Sequence, residues 1–311
     1  MAQTPPLCII HNPQAASGRA GARWRLFRRL LWNQAEFRPS TEPGQAAALA
    51  QAAAREGFPT VVAAGGDGTV HEVANGLLLA QSTTALGVLP LGSGNDYARM
   101  IGTPFQPRAV ADRLLSSATW EVDVGEVTDV RGRRRFFLNT LGLGLSGAVT
   151  WEAARLKRAG WGLRGLPLYG LAAVRAIWSA FHSIPISLTM DGQSQDTHLL
   201  YMAVALGRCE GGGFVVAPDA RLDDGWFDYL HATRLSRLQA LGYVPRLALG
   251  KLPEPNNQIR RGQCRVLEVR SAQPFYAHVD GEQFLTPADG SQSIQVRLLP
   301  RALQVRGSCP A

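Results

Sequence analysis

A chain of 311 residues exceeds one typical domain, and 46% hydrophobic with 18% charged residues is ordinary globular composition, which excludes a disordered or fibrous protein. The net charge of +8 favours anionic partners: nucleotides, nucleic acid or an anionic membrane surface. Four scattered cysteines (Cys8, Cys209, Cys264, Cys309) without C-x-x-C spacing, no signal-peptide pattern over residues 1–6 and no apolar run of about 20 residues predict a reduced, cytoplasmic chain, soluble or peripheral to a membrane, without zinc or disulfides.

Leu7-Cys8-Ile9-Ile10 predicts a short buried strand, ended by Asn12-Pro13 and a small-residue turn over Ala15-Ala16-Ser17-Gly18. A helix follows through Trp24, Phe27, Leu30 and Leu31, with Arg23, Arg25, Arg28 and Arg29 around it as a solvated basic face. Residues 35–40 predict a second strand, leading to Thr41, and the alanine-rich run 45–55 is a strong helix former. The apolar run Val61 to Ala64 then feeds Gly65-Gly66-Asp67-Gly68-Thr69 and a helix carrying Val73, Leu77 and Ala80. Thr69 and Glu72, three apart, would be its capping pair. Glycines let backbone approach a phosphate, and the first N–H groups of the following helix point at it. Asp67 would repel an anion unless it acts through Mg²⁺ or holds the loop with hydrogen bonds. Gly-Asp-Gly alone reads equally as a surface turn; the flanking strand and helix favour phosphate. Residues 86–91 repeat the pattern, a strand ending in Gly92-Ser93-Gly94-Asn95-Asp96 before a helix from Tyr97, and another helix is expected over 110–116. Two such loops at neighbouring strand ends of a parallel α/β sheet face one crevice.

After Trp120 the texture becomes β-rich. Val122, Val124 and Val127 alternate with polar residues, Arg131-Gly132-Arg133 reads as a hairpin turn, and residues 136–140 predict a strand running into Gly142-Leu143-Gly144-Leu145-Ser146-Gly147. That is a G-x-G-x-x-G match, but no acid occurs between Glu152 and Asp191 where a dinucleotide site needs one, so a strand-to-helix turn is the better account. Over 153–181, arginines interleave with Trp161 and Trp178, as suits either an interfacial surface or a helical pair with its charges in water. Strands are expected near 186–190, 199–206, 227–231, 266–269, 277–279 and 294–296, with one helix near 235–249. Asp219, Asp223 and Asp224 share a turn that could collect a hard cation with backbone carbonyls, or simply be exposed. Asp280-Gly281-Glu282 ends a strand, as a hairpin tip would.

In this order, Asn12-Pro13 with Ser17-Gly18, Gly65 to Thr69 with Glu72 and Asn75-Gly76, Gly92 to Asp96, Gly211-Gly212-Gly213 with Pro218-Asp219-Ala220 and Asp223-Asp224-Gly225, and Asp280-Gly281-Glu282 resemble bacterial lipid kinases of the diacylglycerol kinase family over nearly the whole chain. The resemblance implies a nucleotide-binding α/β domain similar to those of NAD kinases and phosphofructokinases, over residues 1–124 and a returning segment 300–311 with a last strand at 303–306. A β-sandwich domain occupies 125–299. It implies ATP, Mg²⁺ and a membrane-lipid hydroxyl as reactants; the net positive charge and the Arg/Trp-rich segment fit peripheral contact with an anionic membrane, no nucleic acid is expected as a partner, and a homodimer is left open. Asn12, Thr41, Gly65, Gly66, Asp67, Gly68, Thr69, Glu72 and Ser93 would contact ATP, with Asn95 and Asp96 shaping the Mg-nucleotide site. Asp280 would match the general base with Glu282 beside it, and Asp224 with the carbonyls of Arg221 and Trp226 would match a structural Mg²⁺ site. His71 and Leu206 stand where the family often has asparagine, and Ser93 varies the commoner threonine. The alternatives are an NAD kinase, which shares the Gly-Gly-Asp-Gly-Thr loop, and a nucleotide-binding regulatory module without catalysis; dispersed arginines speak against a nucleic-acid binder.

Overall fold

A computed structural model of the chain describes residues 6–15, 21–116 and 118–307. The turn residues Ala16, Ser17 and Gly18, the start of the chain (1–5), Cys309 and the rest of 308–311 lie outside the described residues. The chain divides into two units, Met1–Asp123 with Pro300–Ala311, and Val124–Leu299.

In the first unit, β1 (Leu7–His11), α1 (Gly21–Leu30), β2 (Ala35–Pro39), α2 (Gln45–Arg55), β3 (Thr60–Gly65), α3 (Asp67–Ala80), β4 (Ala85–Pro90), α4 (Asp96–Met100) and α5 (Pro107–Leu115) alternate in sequence. The strands lie parallel in the order β2-β1-β3-β4. Every residue of β3 and β4 is buried, which is why both read as continuous apolar runs instead of alternating ones. Ile9, Phe27, Leu31, Val62, Leu89, Val110 and Leu114 pack into one core. The end of the chain returns here, with Val305 parallel to Leu86. Arginines anchor it: Arg306 Nη1 donates to Ser116 O (2.9 Å), and Arg113 Nε donates to Arg306 O (3.1 Å).

The second unit contains β5 (Thr119–Asp129, from Val124 on), β6 (Arg134–Phe137), β7 (Thr140–Gly144), α6 (Leu145–Arg158), α7 (Gly165–Ser179), β8 (Ile184–Met190), β9 (Gln193–Leu199), β10 (Tyr201–Ala205), β11 (Cys209–Glu210), β12 (Phe214–Val215), β13 (Phe227–Ala232), α8 (Arg237–Ala248), β14 (Ile259–Cys264), β15 (Val266–Ser271), β16 (Ala277–Val279), β17 (Glu282–Leu285) and the first half of β18 (Ser293–Arg306). One antiparallel sheet runs β14-β13-β10-β7-β16-β17. Another joins β18, β15, β8 and β9. An α/β unit followed by a β-sandwich unit is the architecture expected from the sequence.

Three local expectations need correction. The strand expected over 136–140 breaks at Leu138 and Asn139, because a distant carboxylate takes their amides. The segments at 294–296 and 303–306 are one 14-residue strand. Thr69 and Glu72 are not a capping pair: α3 already begins at Asp67, and Glu72 Oε2 instead accepts from Ala46 N (3.2 Å) in the first turn of α2. In the 153–181 helical pair, Arg155 and Arg175 both bond the buried Glu152 at 3.0 Å, while Trp161 and Trp178 are exposed.

Candidate active site

In the first unit the two glycine loops meet backbone to backbone at Gly66 and Gly92. A Cβ placed on Gly92 would lie 2.3 Å from Gly66 Cα, so only glycine allows this approach. Asp67 holds the second loop with hydrogen bonds, one of the two roles open to it. Its Oδ2 accepts from Asn95 N (2.8 Å) and its Oδ1 from Tyr97 N (3.1 Å), so the first loop's carboxylate caps the short helix of the second. Asn95 sits in the left-handed region (φ 58°), a conformation asparagine tolerates, and its side chain closes the turn on Gly92: Nδ2 donates to Gly92 O and Oδ1 accepts from Gly92 N, both at 2.9 Å. Asp96 is buried and accepts from Arg99 Nη1 (3.0 Å). Asn12 Nδ2 donates to Thr69 Oγ1 (3.5 Å), joining the end of β1 to the same loop. Thr41 is exposed and bound to Gln45 Oε1 through its own N–H (2.6 Å); Ser93 is exposed at the tip of its loop. Gly65 ends β3, Gly66 is the residue before α3, and Gly68 and Thr69 lie in the first turn of this 14-residue helix, which presents its initial N–H groups there.

In the second unit Asp280 and Gly281 form a two-residue hairpin loop between β16 and β17, with φ of 51° and 79° as a type I′ turn requires. The aspartate is more than a turn former. Its Oδ1 accepts from Asn139 N (2.9 Å) and Thr140 N (3.0 Å), its Oδ2 from Leu138 N (3.0 Å), and its own N–H donates to Thr140 O (2.8 Å). Glu282 is exposed at the start of β17. Beside this turn lies an apolar cavity of about 120 Å³ whose wall includes Gly281, Leu145, Ile177, Tyr243, Val244 and Leu247. Sequence reasoning missed it, along with the polar cluster of buried Ser146 and His278 with half-buried Tyr201 and Glu210 in its wall, because four distant segments contribute to it. The glycines of 142–147 belong here rather than to a dinucleotide: a Cβ on Gly142 would meet His278 Nε2 at 2.2 Å and Ser146 Oγ at 2.3 Å.

The acidic turn before β13 is only partly convergent. Asp224 Oδ1 accepts from Trp226 N (3.1 Å), Arg221 pairs with Asp223 (3.5 Å), and the Arg265 guanidinium lies 4.0 Å over the Trp226 ring. No group of three His, Cys, Asp or Glu side chains is arranged to hold a metal among the described residues. One observation does fit a cation supplemented by carbonyls: Asp228 Oδ2 is buried without a hydrogen-bond partner. Burial raises its pKa, and the Asp224 and Asp219 charges push it further, against a hydrogen bond from Gln263. Asp228 was not singled out from the sequence, where it reads as an ordinary strand residue.

A pair of glycine loops at the strand ends of a parallel sheet, with a carboxylate-tipped hairpin in a β-sandwich, defines the class as a two-unit protein of an α/β unit and a β-sandwich unit. Residues 6–127 match the family model described as diacylglycerol kinase catalytic domain, and residues 141–307 match the YegS C-terminal NAD kinase beta sandwich-like domain. The chain belongs to the bacterial lipid kinases of the diacylglycerol kinase catalytic-domain family. It is 30% identical over 300 residues to a "Probable lipid kinase YegS-like" protein of Pseudomonas aeruginosa strain PAO1, covering 96% of this chain and 93% of that one. It is 28% identical over 280 residues to a diacylglycerol kinase of Bacillus subtilis strain 168, covering 88% of each. A crystal structure of a diacylglycerol kinase from Bacillus anthracis str. Sterne shares the fold, with TM-score 0.71 and 21% identity over 97% of this chain and 96% of that one. The protein is therefore a kinase, membership of the family implies ATP as a substrate, and the NAD kinase alternative is not favoured. No helix among the described residues is long and apolar enough to cross a membrane.

Proposed function

We propose that this chain transfers the γ-phosphoryl group of ATP, in a Mg²⁺-dependent reaction, to a hydroxyl of a membrane lipid of the diacylglycerol type. The observation that carries the reading is the Asp280-Gly281 turn, a carboxylate fixed by backbone amides beside an apolar cavity suited to an acyl chain. Phosphoryl transfer needs positioning and charge neutralisation more than covalent chemistry. In this reading the Gly65–Thr69 and Gly92–Asp96 loops bind the phosphates through N–H groups, with Asn12, Thr41, Glu72 and Ser93 around them. Asp67, Asn95 and Asp96 keep the loops in shape. Asp280 takes the proton of the acceptor hydroxyl as its oxygen bonds to the γ-phosphorus and ADP leaves, and Glu282 stands beside it. Bound Mg²⁺ supplies neutralisation of phosphate charge. Asp224, the carbonyls of Arg221 and Trp226, and the buried Asp228 oxygen would hold a further Mg²⁺ that stiffens the acidic turn.

The lipid hydroxyl lies at a membrane surface, so the enzyme has to reach it there. Exposed Trp161 and Trp178 with Arg158 and Arg164 nearby in sequence, on a chain of net charge +8, support peripheral contact with an anionic cytoplasmic leaflet. The test is transfer from γ-labelled ATP with Mg²⁺ to a lipid panel in mixed micelles, with NAD included. Label on a lipid is the expected result. Label on NAD alone, or none with ATP still bound, would overturn the reading.

A further inference from the structure

In the cavity wall, Ser146, Tyr201, Glu210 and His278 form one hydrogen-bonded cluster. Gly281 N–H donates to His278 Nδ1 (3.2 Å), so the neutral ring carries its proton on Nε2. That proton points at Ser146 Oγ (3.0 Å) and Glu210 Oε2 (3.3 Å). The Ser146 hydroxyl then donates to Glu210 Oε1 (3.2 Å), and so does the Tyr201 hydroxyl (3.1 Å). Serine, histidine and glutamate together suggest a hydrolytic triad, but the wiring forbids it. Serine and carboxylate share one ring nitrogen, and that nitrogen holds the proton a base would have to accept.

What the cluster leaves over is acceptor capacity. Burial pushes the Glu210 carboxyl up, but hydrogen bonds from His278, Tyr201 and Ser146 outweigh it and hold the group ionised, its pKa below the usual value. Glu210 Oε2 is buried, and the one donor beside it, His278 Nε2–H at 3.3 Å, is shared with Ser146 Oγ and is poorly aligned on it, so the oxygen keeps room for a further donor. An ionised carboxylate oxygen in an apolar cavity is costly until a donor reaches it, and it repels a carbonyl.

We propose that Glu210 selects the acceptor lipid, accepting a hydrogen bond from a hydroxyl or amine that the lipid carries in addition to the hydroxyl that is phosphorylated. This rests on the lipid-kinase reading but departs from its diacylglycerol-type acceptor: lipids with two donors next to the acyl chain fit, whereas diacylglycerol itself, whose only other polar groups are esters, does not. His278, bonded both to this cluster and to the Asp280-Gly281 turn, is the link that places the reacting end of the lipid near Asp280.

The test separates the two readings by measuring binding without ATP. The probes are fluorescently tagged 1-oleoylglycerol and its 2-O-methyl ether, which share a chain and differ in one donor. The intact chain should bind the first roughly ten- to hundred-fold more tightly, as a hydrogen bond to a charged acceptor allows, and Glu210→Gln should collapse most of that ratio. Equal affinities in the intact chain, or an unchanged ratio in Glu210→Gln, overturn the proposal. If Glu210→Gln does not fold, Tyr201→Phe decides: it strips a competing donor from the same carboxylate without touching the His278 contact and should widen the ratio, and no change overturns the proposal. Transfer from labelled ATP, run separately on both probes, tests the kinase reading: no transfer with the ratio intact would sink that reading and leave a donor-selective lipid site.

Discussion

In the unit built on the parallel sheet, Asp67 gathers two backbone amides, whereas in the sandwich unit Asp280 gathers three. Both carboxylates tie together segments far apart in sequence, and both stand where function is proposed. Their surroundings differ. Asp67 joins two glycine loops, and Gly66 and Gly92 approach so closely that no side chain fits between them. Around Asp280 the walls are side chains: an apolar cavity and a four-residue polar cluster. A phosphate is alike in every nucleotide, so a backbone cradle serves it, while a lipid acceptor has to be told from its neighbours by shape and donors.

The largest expected effect breaks the comparison on the sandwich side. Asp280→Asn should fold and bind ATP, yet lose about 10²–10⁴-fold in turnover, the usual contribution of a positioned base. Labelled-phosphate transfer beside ATP calorimetry checks this, and normal turnover removes the base assignment.

On the parallel-sheet side, Gly92→Ala puts a methyl against the Gly66 backbone, and forcing the loops apart should cost up to about 3 kcal/mol, with nucleotide affinity falling too. Urea denaturation with and without ATP reads both; a stability equal to that of the parent would mean that the loops do not touch. Asp67→Asn should be milder, about 2 kcal/mol, because the new amide nitrogen cannot accept from Asn95 N or Tyr97 N. A D67N protein with unchanged stability but weakened ATP binding would return Asp67 to the role of direct ligand.

The smallest effect sharpens the comparison by touching both units. Burial lowers the pKa of His11 in the first unit, helped by the Arg28 charge, and that of His231 in the second. Their folded forms therefore bind protons less readily than the unfolded chain does. Stability from this source is complete above the unfolded value of about 6.5 and falls as pH drops through it towards the lowered folded values. Denaturation at pH 7.5 and 5.5 should show the decline, and His231→Gln should flatten part of it. His231 donates from Nε2 to His198 O (2.8 Å), a bond glutamine can replace. An identical slope in that variant would place the pH dependence elsewhere.

Periodicity, glycine spacing and turn chemistry were enough to read the alternation of β3, α3 and β4, the strand-to-helix turn at Gly144 and the overall plan of an α/β unit before a sandwich. These depend on interactions between near neighbours, which the order of residues dictates directly. The bonds that Asp67 accepts from the Asn95 and Tyr97 amides, 28 and 30 positions away, could not be read from its own segment. The break at Leu138 and Asn139 could not be read locally at all, since its cause is a carboxylate about 140 residues later. The polar cluster was hidden for the same reason. Ser146, Tyr201, Glu210 and His278 are each unremarkable in their own segments, and only the antiparallel pairing of β7 with β10 and β16 brings those segments side by side. The sequence alone determined which local elements form, because propensity and patterning act over a few residues. The tertiary structure decided which buried polar groups meet, because a carboxylate taken out of water must find donors wherever the fold supplies them.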